Sequence, residues 1–348
     1  MKPATPTLAR AINDRRALDL LLEHGPLTAP QLRTLTGLSR PTVSDLIERL
    51  SADGLIEVAG ETGAERRGPN ARVYDLVPGR AHVAGVDIRR HAVHATVADI
   101  TGRTVATATR PLPDSGGPGG APSVDLVGVI ADAVAEAAGG REPHTVVVAV
   151  PGVVDPRTQE ALAAGVPGWR ADLVRALEAR LGTRVVGDNE VNLSAIAEHR
   201  TGSAVGCDDF ALLWLDDGIG AALVLGGRLR RGASGGAGEV GLLELGGGAT
   251  FCDMLEADRI VGLDAGVVAD LITEAAFALV AVVDPGLVVL GGATGRDGGD
   301  ELADLVAARL NARSPAPAQV RASTVEGNTV LRGAVLTGLD LARDAIYG

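Results

Sequence analysis

"VVGDNEVNLSAIAEHRTG", residues 185–202, places Asp188, Asn189, Glu190 and Asn192 within five positions behind a short β-branched run. Three readings fit: an acid–base centre, a polar pocket that binds without reacting, or a helix N-terminus with its capping chemistry. Asp and Asn are good N-caps, and an acid in a first turn suits the positive end of the helix dipole. These residues alone leave all three open, so the flanking chain carries the argument.

On both sides strands alternate with helices. Upstream, "HVAGVDI", "AVHATVADI" and "TVATAT" predict a three-strand meander, 124–138 a helix, "TVVVAV" a buried strand ending at Pro151 and Gly152, 172–181 a helix and "RVV" a strand. "SGGPGGAPS" (115–123) reads as a flexible loop. Downstream the cycle restarts. "FALLWL" and "AALVL" read as a hairpin closed by "GG", followed by a helix over 264–281, a buried strand "LVVL" ending at Gly291 and Gly292, and helices over 300–312 and 330–346. Asp87 ends the first strand of one half and Asp216 that of the other. This coarse repeat predicts an α/β body of two similar lobes with a cleft between them, a favoured place for a ligand.

The first 78 residues have a different rhythm. Ala17, Leu18, Leu21 and Leu22 share one helical face before Gly25. Thr28 caps a short helix carrying Leu32 and Leu35 that closes at Gly37. Ser39 caps a third helix with Pro41 in its first turn, and Val43, Leu46, Ile47 and Leu50 form its buried stripe. "LIEV" and "RVYDL" then read as two strands around a loop bearing Arg66 and Arg67. Three short helices and a basic-tipped hairpin predict a winged helix-turn-helix. Its third helix exposes Arg40, Thr42, Ser44, Asp45 and Arg49, side chains suited to base edges and phosphates of a major groove. Ser39, Arg40, Thr42, Ser44, Arg49, Arg66 and Arg67 are therefore the DNA-binding candidates, and a small protein-binding module is the alternative. "VPGR" (77–80) reads as a linker, giving a winged helix over 1–78, a first lobe over 79–187 and a second over 188–348. The C-terminal helix is free to pack back on the first lobe.

Composition narrows the classes. Hydrophobic residues make up 46% but aromatics only 2%, so the core must be Val, Leu, Ile and Ala. Net charge is −12, while residues 1–78 balance ten basic against ten acidic side chains, so the body carries the whole excess and repels free polyanions. Cys207 and Cys252 make neither a disulfide scaffold nor a metal framework. No apolar run approaches a membrane span without a charge, and no signal-peptide pattern opens the chain; a soluble cytoplasmic protein is expected.

Together the winged helix, the duplicated α/β pair, "VPGVVDP", "DNEVNLSAIAEHRTG", "GIGAALVLGGRLRRGASGGAGEVG" and "LVVLGG" resemble the ROK family of bacterial sugar kinases and sugar-responsive repressors. The resemblance covers nearly the whole chain. It implies an actin-like (ribonuclease H-like) fold, operator DNA as partner, a homodimer or homotetramer, and a sugar or sugar derivative as effector. The family's Glu-Asn-Asp-x-Asn run supplies sugar contacts and a catalytic Asp; here the run is Asp188-Asn189-Glu190-Val191-Asn192, with Glu190 at the base position. The resemblance implies ligand contacts at Asn189, Glu190, Glu239 and Glu256. The chain also departs from the pattern. Gly165 stands where members have an Asn, and Leu242 replaces a His that is also a zinc ligand. Of the family's three zinc-binding Cys only Cys252 remains, so no metal is expected. The kinases' Asp-x-Gly-Gly-Thr phosphate loop reads Asp87-Ile88-Arg89-Arg90-His91, and the second loop reads Asp216-Asp217-Gly218-Ile219-Gly220. The reading that results is a DNA-binding repressor whose kinase-like body senses an effector and oligomerises, without catalytic residues or cofactor. A sugar kinase with an appended DNA-binding domain, and a body that has lost its ligand, are the alternatives.

Overall fold

The structure is a computed structural model and describes residues 6–61, 71–113, 124–163, 166–245 and 248–348. Gly165, Arg66, Arg67 and the loop 115–123 lie outside the described residues.

The first module holds α1 (Pro6–His24), β1 (Leu27–Thr28), α2 (Ala29–Thr36), α3 (Arg40–Ala52), β2 (Ile56–Glu61) and β3 (Arg72–Leu76). Local chemistry sets its boundaries. Thr28 and Gln31 form a capping box on α2, Gly37 ends that helix at φ 72°, and Ser39 caps α3 by accepting from the Thr42 amide. Leu18, Leu21, Leu32, Leu46 and Leu50 close the core between the three helices. The strands pair in the order β1-β3-β2, a winged helix.

The two lobes repeat one topology. In the first, β4 (His82–Ile88), β5 (Ala92–Asp99) and β6 (Thr104–Pro111) form an antiparallel meander. α4 (Leu126–Ala138) crosses to β7 (Pro143–Val150), the small hairpin β8 (Gly152–Val154) and β9 (Ala161–Ala163) follows, and α5 (Leu173–Leu181) leads to β10 (Arg184–Asn189). β7 and β10 are parallel to β4, giving the order β10-β7-β4-β5-β6. α6 (Glu190–Thr201) opens the second lobe, where β11 (Phe210–Leu215), β12 (Ile219–Leu225) and β13 (Arg228–Arg230) form the second meander. Beyond it lie β14 (Glu244–Leu245), β15 (Ala249–Thr250), α7 (Phe251–Leu255), α8 (Ala257–Ile260) and α9 (Ala265–Val283). β16 (Leu287–Gly291), α10 (Gly292–Arg313), β17 (Gln319–Ala322) and α11 (Thr329–Tyr347) complete the chain. The order β13-β12-β11-β16-β17 is the first sheet's order, so the repeat expected from sequence is an actin-like duplication.

Each sheet has an outer and an inner face. α4 and α5 cover the first sheet's outer face through Leu126, Ile130, Leu173 and Leu177; α9 and α10 cover the second through Ile272, Ala276, Val306 and Leu310. The inner faces meet α6 and α11, which lie between the sheets with Leu193, Ala195, Val330 and Ala334 packed against Val147, Leu212 and Val289. α10 starts at Gly292, earlier than the sequence pattern placed it, and kinks at Gly299 (φ 55°). α9 is the one described helix long and apolar enough to cross a membrane. Its Ile272, Ala275 and Ala276 pack in the second-lobe core, and its Asp270 and Glu274 pair with Arg309 and Arg313.

The stretch read as a linker is a single turn, Pro78–Arg80. Beyond it the winged helix shares one apolar cluster with the body: Leu18, Leu21 and Leu76 pack with Val83, Ile100, Leu339 and Tyr347. The module is therefore seated on β4, β5 and the end of α11, not tethered beside them.

The helix pair between the sheets is held at one point by backbone contact. A Cβ at Gly333 of α11 would stand 1.8 Å from the Leu193 carbonyl oxygen of α6. Ala is about 1 kcal/mol better than Gly inside a helix, yet Gly333→Ala should destabilise, because overpacking costs about 1–3 kcal/mol and the neighbour here is backbone. A urea midpoint for Gly333→Ala at or above that of the unaltered chain would contradict this packing.

Candidate functional site

Strand ends and helix starts converge between the lobes on a cavity of about 460 Å³, within the range of small-molecule sites. Its wall includes Asp87 to Arg90 at the end of β4, Gly152 after β7, Asn189 and Glu190 at the start of α6, Asp217 to Ala221 after β11, and Glu239 with Leu242.

The opening motif divides its labour. Asn189 is the N-cap of α6: its Oδ1 accepts from the Val191 amide at 2.7 Å and the Asn192 amide at 3.2 Å. Its Nδ2 donates to the Gly152 carbonyl at 2.9 Å, tying the helix start to the turn after β7. Asp188 is buried and accepts from both Arg231 Nη2 (2.7 Å) and Asn192 Nδ2 (3.0 Å), joining the strand end to the second lobe. Glu190 faces the cavity, with Oε2 accepting from the Gly152 amide at 3.2 Å and from Asn189 Nδ2 at 3.3 Å. Capping and pocket chemistry are both present, on different residues.

Arg89 links the lobes. Its Nε donates to Asp87 Oδ2 at 2.9 Å, its Nη1 lies 3.7 Å from Asp216 Oδ2, and its guanidinium stacks 5.9 Å from the Trp214 ring centroid. Burial opposes its charge, but Asp87 and Asp216 outweigh burial and raise its pKa. Asp87 is only 1% exposed; its Oδ2 also accepts from Asn328 Nδ2 at 2.8 Å, and its Oδ1 has no partner among the described residues. Burial pushes Asp216 and Glu239 up, Asp216 against the pull of Arg89. Burial, reinforced by the charge of Asp87, pushes Glu190 up to about 8 against Arg89 and the Gly152 amide.

Of the four residues inferred as ligand contacts, Asn189, Glu190 and Glu239 line the cavity and Glu256 does not. Glu256 instead ends α7 and precedes α8. Arg231 of the "RLRRG" stretch pairs with Asp188 rather than with Glu239, whose side chain has no hydrogen bond among the described residues. Leu242 is 69% exposed, and the Cys252 thiol donates to the Ile219 carbonyl at 3.8 Å. These two residues do not form a zinc site, and among the described residues no group of three or more His, Cys, Asp or Glu could hold a metal. Asn328 and Trp214 escaped the sequence reading. Asn328 had one local signal, its place just before an apolar-striped helix that it caps through the Leu331 amide.

On the winged helix, Ser39, Arg40 and Ser44 stand exposed at the N-terminal end of α3. Thr42 is half-buried and bonds Ser39 through its hydroxyl at 2.8 Å. Arg49 was expected on the same exposed face. It is instead drawn back onto α1 by Asp14 at 2.6 Å, which makes it a support for α3.

A winged helix seated on two actin-like lobes that enclose a cleft defines a class: a kinase-like body carrying a module of the DNA-binding kind. Comparison with known proteins agrees. A ROK family profile matches residues 83–254, and a MarR family profile matches residues 11–67. The chain carries a ROK family domain behind a MarR-type winged helix. The Bacillus subtilis xylose repressor is 25% identical over 246 residues, covering 69% of this chain and 62% of the repressor. A Streptomyces coelicolor glucokinase is 32% identical over 162 residues, 46% of this chain and 49% of the enzyme. The chain thus spans about six-tenths of the length of the repressor. The crystal structure of a ROK family transcriptional regulator, a homolog of the E. coli Mlc protein, superposes with a TM-score of 0.74 at 15% identity, covering 98% of this chain and all of that one. That likeness establishes the fold.

Glu190 also sets a pH dependence. In the unfolded chain its carboxyl ionises near the ordinary 4.5, well before the folded one does at about 8. The stability this group contributes is therefore present below about 4.5 and is lost as pH rises toward 8. Glu190→Gln should match the unaltered chain near pH 4.5 and be the more stable of the two at about pH 8.5. Urea midpoints whose difference does not change with pH would refute the burial argument.

Proposed function

We propose that this chain is a DNA-binding transcriptional repressor whose interlobe cleft senses a small sugar or sugar derivative and does not transfer phosphate. The observation that carries the reading is the exposed N-terminal end of α3, with Ser39, Arg40 and Ser44 outward on a winged helix. Such an end enters a major groove, where an Arg reads guanine edges and small hydroxyls reach bases or phosphates. Arg66 and Arg67, which fall between β2 and β3 in the sequence, are the phosphate contacts of this reading. A single module of this size needs a second copy on the next half-site, so the working form is a homodimer or a homotetramer. Its place of action is the cytoplasm.

The body supports a sensor over a kinase. Phosphoryl transfer rests on loops whose backbone closes around the phosphates. Here the first loop carries Arg89, already engaged by Asp87 and Asp216, where the resemblance calls for glycine. A carboxylate about 4 Å from a phosphate charge costs about 4 kcal/mol at an effective dielectric of 20, and Asp217 adds a second acid on the same turn. Glu190 and Glu239 leave the cavity wall able to hydrogen-bond hydroxyls, while the Asn189 amide is already engaged by the α6 cap, the Gly152 carbonyl and Glu190. The repressor relative is named for xylose, which makes pentoses the first sugars to test as effectors.

DNA selected from the chain's own upstream region, titrated with sugars and sugar phosphates, tests the reading. Arg40→Ala should weaken specific binding by about 1–3 kcal/mol if it meets a base edge. Arg66→Ala with Arg67→Ala should weaken all duplexes and flatten the salt dependence. Binding unchanged by all three substitutions would remove α3 and the wing as the reading surface. Micromolar affinity for Mg-ATP by calorimetry, or sugar phosphorylation abolished by Glu190→Gln, would restore the kinase.

A further inference from the structure

Two buried side-chain polar atoms lack a hydrogen-bond partner among the described residues, Asp87 Oδ1 and Tyr347 Oη. Buried polar atoms are nearly always paired, so each such exception calls for a physical reason. These two sit at opposite ends of one helix. Asp87 lines the cleft and accepts from Asn328, the N-cap of α11; Tyr347 is the last residue of α11. The 19 residues between make a rod of about 28 Å at 1.5 Å per residue.

The far end of the rod holds the winged helix. Asp344 accepts from Arg15 of α1 at 2.9 Å, and the Arg15 guanidinium lies 5.7 Å from the Tyr347 ring centroid. Beside the Tyr347 hydroxyl lies Arg343, whose guanidinium donates to the Ile100 carbonyl at 2.8 Å. Along its length the rod bears on the sheet through small residues. A Cβ at Gly85 of β4 would stand 3.0 Å from Ala334, and one at Gly338 would stand 3.2 Å from Val83. No long side chain interlocks at those two points.

We propose that α11 has a second seating, in which both orphan atoms gain partners, and that ligand occupation of the cleft selects between the two seatings. The proposal rests on the reading of the cleft as a sensor and supplies its regulation. A hydroxyl donated to Asp87 competes with Asn328, the cap of α11 shifts, and the last turn of α11 moves under α1. The recognition helix is then re-aimed without any contact between ligand and DNA. Coupling of this kind is reciprocal, so a change at either end must be felt at the other.

Hydrogen exchange on the full chain, with no ligand added, tests the coupling directly. Tyr347→Phe removes one orphan atom and should slow exchange at the Leu331 amide, at the cleft end, about tenfold. Asn328→Asp keeps a capping oxygen but loses the donor to Asp87; it should speed exchange in the last turn of α11 and in the facing turns of α1 about tenfold. Amides of α9, in the second lobe's outer layer, should not change in either variant. Changes confined to the neighbourhood of each substitution would overturn the proposal, and Tyr347→Phe, a one-atom deletion, keeps the test open if Asn328→Asp fails to fold. Binding of the selected upstream duplex, measured on the same variants, separates the two claims. Remote exchange effects in a chain that binds no DNA would sustain the two seatings and remove the repressor reading.

Discussion

Everything in the body depends on one close approach, the backbone of α6 at Leu193 lying against Gly333 of α11. The apolar inner faces of the two sheets do not meet each other directly; α6 and α11 lie between them. The pair α6 and α11 fills the space between, and the missing side chain at Gly333 sets how near the two helices lie. That spacing has an electrostatic consequence. Both helices begin at the cleft, α6 at Glu190 and α11 just after Asn328. Their positive ends therefore face the same small volume, which is a favourable setting for Asp87 and Glu190.

The acids there also need a counter-charge, and Arg89 supplies it. Asp87 is almost wholly buried, and a buried carboxylate without a partner is strongly destabilising. Arg89 and Asn328 satisfy one of its oxygens, from a loop of the first lobe and from the start of the last helix. The same guanidinium reaches toward Asp216 across the lobe boundary. In a loop of glycines the counter-charge would have to come from a bound ligand or ion. The side chain at position 89 thus does two things at once: it pairs the deeply buried Asp87, and it puts a guanidinium where the resemblance calls for glycine.

Local signals carried much of this into the sequence. The caps Thr28 and Ser39, the apolar stripe of α3, and the matched strands ending near Asp87 and Asp216 are short-range patterns with one physical solution each. The winged helix and the repeated lobes follow from them. What escaped was long-range pairing. Arg49 looks solvent-facing on α3 until Asp14, thirty-five positions earlier, comes alongside. Arg231 has no local signal that marks it as the partner of Asp188, forty-three positions earlier, and only the fold brings the two together. Glu256 was inferred from the resemblance across a stretch that lacks the family's metal ligands, so nothing local fixed its distance from the cavity. The polar run at 188–192 kept three readings open because capping and ligand binding call on the same residue types; the side-chain directions that separate them are tertiary facts.

The junction at Pro78–Arg80 bears on how a molecule of the proposed kind would read DNA. A tethered module would sample many orientations, and domain motion is the default where an interface is small and polar. Here the interface is apolar, with Leu18, Leu21 and Leu76 buried against Ile100, Leu339 and Tyr347. The orientation of α3 on the body is therefore set by that interface, the last turn of α11 included. For a two-fold dimer on DNA, half-sites one turn apart require the two recognition helices to sit about 34 Å from each other. If each α3 is rigid on its own body, that distance is set by how the two bodies meet and by the seating of α11 beneath α1. A shift of an ångström or two at the end of a long lever suffices to spoil a groove fit. A regulator built this way needs no flexible linker, and it would lose control of its DNA spacing if it had one.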